Sequence, residues 1–211
     1  MLTVTWEVPE INRPGAWTFG VNGLRGVYAG LGNCIGRGAG FTVYRPPHWA
    51  FADAHIGYGD VLGADARIFG YEVDGLEYTI RHGLPSATGE DGASVDIAIL
   101  AMGLGTNIEA DHSVWGETLY IGREGAVWKA DALYGDTSDE TVDRVERGSG
   151  MIIHWKKGAG EVFTAATCEW VMGLTRSDPQ VEQVTRNVLD RFTSDTIRKE
   201  LHAATGLEPS S

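Results

Sequence analysis

Two carboxylates, Glu72 and Asp74, stand two residues apart in Gly70-Tyr71-Glu72-Val73-Asp74-Gly75. Arg67-Ile68-Phe69 leads into this stretch and Leu76-Glu77-Tyr78-Thr79-Ile80 leads out. The pattern reads as a strand, with the Asp-Gly pair turning the chain into a second strand. A period of two puts Glu72 and Asp74 on one face and Tyr71 and Val73 on the other. A carboxylate among apolar strand residues must be paired, hydrogen-bonded, protonated or functional. Desolvation by these neighbours would suit Glu72 to general-base chemistry. The competing reading is a structural carboxylate paired with Arg67 or Arg81.

The other candidates are sparser. Asp53 and His55 could share a strand face as a metal-ligand or acid–base pair, but two ligands do not make a site. His154, beside Trp155 in an apolar strand, reads as a satisfied core or edge histidine, and Asp111-His112 as a solvated turn. Cys34 has Arg37 nearby to favour a thiolate, yet no histidine in sequence context to activate it. With Cys168 it completes the cysteine inventory. One disulfide is open to them, and two buried free thiols is the preferred reading. His-Glu-x-x-His, Cys-x-x-Cys and Gly-x-Ser-x-Gly signatures are all absent from the sequence.

The elements that must position these residues are mostly strands. Leu2 to Val8 alternates as an opening strand. Gly20 to Gly40 reads as a structural glycine-rich loop, because after Gly30-Leu31-Gly32 the third glycine is misplaced and no Lys-Ser or Lys-Thr of a phosphate loop follows. Phe41-Thr42-Val43-Tyr44 is a short strand, and His48-Trp49-Ala50-Phe51 starts a further apolar segment. Ser86 to Ser94 is a solvent loop. Val95 to Met102 is the most apolar run and is expected as the central strand, buried on both faces and closed by Gly103 and Gly105. Val114 to Ile121 and Ala126 to Ala130 are weaker strands. Tyr134 to Gly148 is a charged loop or short exposed helix. Met151 to Trp155 and Glu161 to Ala166 flank Lys156-Lys157-Gly158-Ala159-Gly160 as a hairpin. Ser177 and Asp178 cap a helix with Pro179 in its first turn. Val181, Val184, Val188, Leu189 and Phe192 form its inward stripe. Ser194 is expected to cap a second helix through Ile197 and Leu201, before a frayed tail. The expected fold is α+β: a β-rich mixed sheet with C-terminal helices packed on one face. Residues 1–192 read as a single domain and 193–211 as a terminal helix and tail.

The chain has 211 residues, 29 of them glycine, which favours turns and β-structure over a helical bundle. Its formal net charge of -12 argues against nucleic acid and anionic membranes as partners. The N-terminal residues do not resemble a signal peptide, and no apolar run approaches membrane-spanning length. A soluble cytoplasmic protein is expected.

Several stretches together resemble the C-terminal part of the large (beta) subunit of N,N-dimethylformamidase and its relatives. They are Gly23 to Gly32, Trp49-Ala50-Phe51 with Gly57 to Gly63, Gly70-Tyr71-Glu72-Val73-Asp74, Ile97 to Ala101, Gly158 to Trp170, and Asn187 to Phe192. They run collinearly from about Gly20 to Phe192. Ala52 and Ala54 replace glycines favoured there, and Ala165-Ala166-Thr167 replaces Ser-x-Gly-Ser. The resemblance implies hydrolysis of small N-substituted amides at an iron held by two tyrosines and a glutamate, in a core upstream of this region. It implies no cofactor bound by this chain, and iron on a protein partner carrying the catalytic core. Glu72 becomes the catalytic candidate facing that iron, with Tyr71, Asp74 and His55 as substrate contacts. The expected protein is an oligomeric amidohydrolase subunit that completes the pocket. The alternative is a non-catalytic assembly or ligand-binding domain derived from such an enzyme. A self-sufficient hydrolase with a metal at Asp53, His55 and Glu72 is a third reading.

Overall fold

A computed structural model describes residues 6–27, 40–70, 72–106, 110–112, 118–120 and 123–194. Helix α1 (Ala16–Phe19) precedes strands β1 (Asn22–Val27), β2 (Phe41–Val43), β3 (Val61–Leu62) and β4 (Val73–Gly75), with a 3-10 turn at Trp49–Phe51 between β2 and β3. Strands β5 (Tyr78–Arg81), β6 (Leu84–Ala87), β7 (Ala98–Thr106), β8 (Ala110–His112) and β9 (Thr118–Tyr120) follow. Helices α2 (Glu124–Tyr134) and α3 (Asp139–Val145), strands β10 (Arg147–Lys157) and β11 (Gly160–Thr164), and helices α4 (Trp170–Thr175) and α5 (Pro179–Thr193) complete the described chain. The class is α+β. The main sheet has the order β11-β10-β7-β2-β3, so β7 is central. The sheet expected to be mixed is antiparallel in each of these pairings.

Both faces of the sheet are buried. Along β10, Ile152 packs on one side with Leu100, Phe41 and the α5 residues Val181 and Val184. Met151 and Ile153 pack on the other with Ile99, Met102, Ala16 and Leu76. Helix α5 forms as its sequence requires: Asp178 accepts hydrogen bonds from the Gln180 and Val181 N–H groups, and Pro179 lies in the first turn. Its inward stripe is narrower than expected, because Leu189 and Phe192 remain exposed.

The second layer is set by glycine. Gly103 pairs with Gly150, and Gly105 with Gly148, across β7 and β10. These four positions leave a trough on the sheet. A methyl at Gly103 would lie 2.6 Å from the Phe69 ring, and one at Gly150 would lie 2.7 Å from Val73 Cβ. Strand β1, antiparallel to β4, settles into the same space. There a methyl at Gly26 would lie 1.7 Å from the Val73 carbonyl oxygen.

Several expectations are corrected. Asp74 and Gly75 are strand residues, not a turn, and Gly75 allows close approach to Ser149. The local hairpin instead joins β5 and β6 through His82 and Gly83, both at positive φ, as a two-residue turn requires. Part of the expected glycine loop is strand β1. Gly103 and Gly105 continue β7 rather than closing it, while Val95 is exposed and precedes the strand. Ala126 to Ala130 is helical, because a short apolar run does not reveal its own period. Trp6 to Val8 lies in turns, and the remainder of the expected opening strand lies outside the described residues, as do the second C-terminal helix and the tail. Among the described residues, no helix is long and apolar enough to cross a membrane.

Gly26→Ala is expected to destabilise the domain by about 3 kcal/mol, since the new methyl must displace backbone rather than a flexible side chain. A urea midpoint unchanged from wild type would show that the two strands can separate freely.

Candidate functional site

Glu72 sits where the approach to β4 crosses residues 166–169. The Asp74 N–H donates to the Ala166 carbonyl at 3.0 Å, and the Cys168 N–H to the Glu72 carbonyl at 3.4 Å. Thr167 Oγ1 donates to the Ile68 carbonyl at 2.8 Å and accepts from the Glu169 N–H at 3.1 Å. Three non-glycine residues on these two segments have left-handed backbones: Arg67 at φ 53°, Glu72 at 44° and Ala166 at 47°. Such conformations cost on the order of 1–3 kcal/mol each and persist only where surroundings fix them.

The expected desolvation of Glu72 is absent. Its side chain is exposed, while Val73 is fully buried against Gly150. The left-handed turn at Glu72 breaks the alternation that the shared-face argument assumed. Ion pairs with Arg67 or Arg81 are not found among the described residues. The Cys168 thiol instead hydrogen-bonds the Glu72 side chain. Partial burial, then the Glu169 and Glu72 charges, push this thiol up to about 11. Cys168 is exposed, contrary to the buried thiol expected. It is therefore held as a thiol rather than as a nucleophilic thiolate.

The remaining candidates differ in their surroundings. Tyr71, Cys34 and Arg37 lie outside the described residues. Asp74 is half-buried and close enough to Glu7 to help raise the Glu7 carboxyl, whose shift comes first from burial. His55 and Asp53 are exposed on left-handed backbone after the 3-10 turn. Among the described residues, no group of three or more histidines, cysteines and acids converges to hold a metal ion. Asp53, His55 and Glu72 therefore do not form the metal site of the third reading, and these residues do not fit an iron centre.

Sequence reasoning missed a relay that locks α5 to the sheet. The Ala50 N–H donates to His48 Nδ1 at 3.2 Å. His48 Nε2 lies 3.1 Å from His154 Nδ1, and His154 Nε2 lies 3.1 Å from Glu161 Oε2. Arg191 closes the chain with bonds of 2.7 and 2.6 Å to the two Glu161 oxygens. A backbone N–H can only donate, so His48 Nδ1 is the acceptor. Two neutral imidazoles, each protonated at Nε2, then satisfy every link in order. Burial, then His154 and Arg191, push His48 down to about 4. Burial likewise lowers His154. Arg191 draws Glu161 down to about 2. The Arg191 guanidinium also stacks over Trp49, 4.7 Å from the ring centroid. The expected hairpin already put Glu161 diagonal to His154 on one face. His48 and Arg191 are distant in sequence and gave no signal.

The fold and site define an α+β domain that presents a carboxylate from a strained surface crossing. Residues 2–185 match the family model described as N,N-dimethylformamidase beta subunit-like, C-terminal. The chain belongs to this family. No curated protein and no solved structure matches it.

Acid should weaken the relay in two steps. His48 binds its proton in the unfolded chain first, so its contribution is present above 6.5 and is lost as pH falls toward about 4. The Glu161 contribution is present above 4.5 and is lost as pH falls toward about 2. His48→Gln is expected to make the upper step shallower, with His154 keeping its own share, in urea midpoints measured against pH. An identical pH slope in that variant would contradict the assignment. Glu161→Gln should cost about 2 kcal/mol at neutral pH, by weakening charge-assisted bonds to Arg191.

Proposed function

We propose that this chain is a component of a dimethylformamidase-like amidohydrolase. It completes the active-site pocket of an iron-binding partner chain that hydrolyses a small N-substituted amide. Family membership supports this reading at the level of the domain. The observation that carries the role of Glu72 is its exposed side chain on strained backbone, braced by residues 166–169. Strain at a surface carboxylate suits a group presented to something outside the chain. The partner surface, rather than this domain, would then supply the desolvation.

The chemistry that this domain can contribute is proton transfer. A carboxylate at the pocket wall accepts a proton from attacking water and returns it to the departing amine nitrogen. Asp74, Tyr71 and His55 remain substrate contacts in this proposal, with Tyr71 adjoining Glu72 in sequence.

Glu72→Gln, in the enzyme assembled with its iron-binding partner, is expected to lower turnover by about 10²- to 10⁴-fold while assembly survives on size-exclusion chromatography. Unchanged turnover removes the catalytic role and favours the non-catalytic assembly domain.

A further inference from the structure

A separate cavity of about 270 Å³ opens at the other end of β4. Strand β1 contributes Leu24 and Arg25, and the residues after β4 contribute Leu76 and Glu77. Helix α2 adds Lys129, Leu133 and Tyr134, while Arg144 and Arg147 stand at the α3–β10 junction. Four cationic side chains thus line the cavity against one carboxylate, in a chain of net charge -12. That carboxylate, Glu77, is already paired with Arg25. Two further carboxylates act on these cations from outside the lining, Glu7 on Lys129 while it accepts from the Gly23 and Leu24 N–H groups at 2.8 and 3.1 Å, and Asp91 on Arg25, so four cations face three acids.

Lys129 is the unusual member. It falls on the inward stripe of α2 with Ala126, Ala130 and Leu133, where helical spacing calls for an apolar residue. It is only 7% exposed. Its ammonium donates to the Gly26 carbonyl at 3.0 Å, the one bond it makes among the described residues for a group with three donors. Burial, then repulsion by Arg25, lower it to about 8. Tyr134 is held beside it by two arginines. Arg25 Nη1 donates to its hydroxyl at 2.8 Å, and the Arg144 guanidinium lies 4.9 Å from its ring centroid. A buried cation with unmet donors, beside further cations, is stabilised by an anion. Leu24, Leu76, Leu133 and Val145 supply apolar walls for the body of such a ligand. The volume corresponds to roughly nine waters, which suits a small molecule rather than a peptide.

We propose that this cavity binds a small organic carboxylate, with its charge on Lys129 and its apolar body against the leucines. The site is independent of Glu72 and of the amide-hydrolysing role.

Benzoate titrated into the full chain tests the proposal, with benzyl alcohol as the neutral probe and calorimetry or NMR shifts as the readout. Saturable benzoate binding is expected, with benzyl alcohol at least about tenfold weaker. Lys129→Met, which keeps the stem and removes the charge, should raise the benzoate Kd about tenfold. Arg147→Gln, at the exposed mouth, should raise it roughly threefold while leaving the melting temperature unchanged. The second variant decides the matter if the first does not fold. Absence of saturable benzoate binding to the folded wild type overturns the proposal, as does an affinity unmoved by Arg147→Gln and by any folded Lys129→Met.

Discussion

The closeness of β1 and β4 to the main sheet is the constraint from which the rest follows. Backbone and side chains of this second layer occupy space that any Cβ on Gly103, Gly148 or Gly150 would fill. Glycine in a strand interior costs about 0.5–1 kcal/mol relative to alanine. Against that, the trough buries Phe69, Val27 and Val73, each worth roughly 1.5–3 kcal/mol. Burial wins, and part of the glycine surplus becomes a packing device rather than a set of loops.

The trough also determines what the two ends of β4 can do. Val73 is anchored in it, so Glu72, its neighbour, is turned outward at the surface crossing. Beyond Gly75 the chain delivers Leu76 and Glu77 to the cationic cavity. One short strand therefore connects an outward carboxylate and an inward-facing cluster of positive charge. The two environments are opposite in kind. Strain and exposure mark the first, and incomplete charge neutralisation marks the second.

The relay through His48, His154, Glu161 and Arg191 serves a third purpose. It joins the start of the 3-10 turn, the β10–β11 hairpin and the end of α5 by directional bonds between neutral and charged groups. Apolar packing by Val181 and Val184 brings the helix onto the sheet, but the stripe weakens toward Leu189 and Phe192. Arg191, paired with Glu161 and stacked on Trp49, holds that end together with the edge contact between Phe192 and Trp49.

The sequence by itself determined the α+β class, the central apolar strand within a few residues, the β10–β11 hairpin and the start of α5. Those features rest on local signals: alternation, turn residues and a cap with its proline. The ordered motifs also pointed to the family. Tertiary structure alone decided that Asp74-Gly75 lies within a strand, because Gly75 is required by contact with Ser149, far along the chain. It decided that Glu72 faces outward, since backbone handedness at one residue overrides alternation. It decided that Lys129 is buried, because a five-residue apolar stretch cannot state whether its period is 2 or 3.6. His48 and Arg191 met His154 and Glu161 only through folding, as long-range pairing leaves no mark on neighbouring residues.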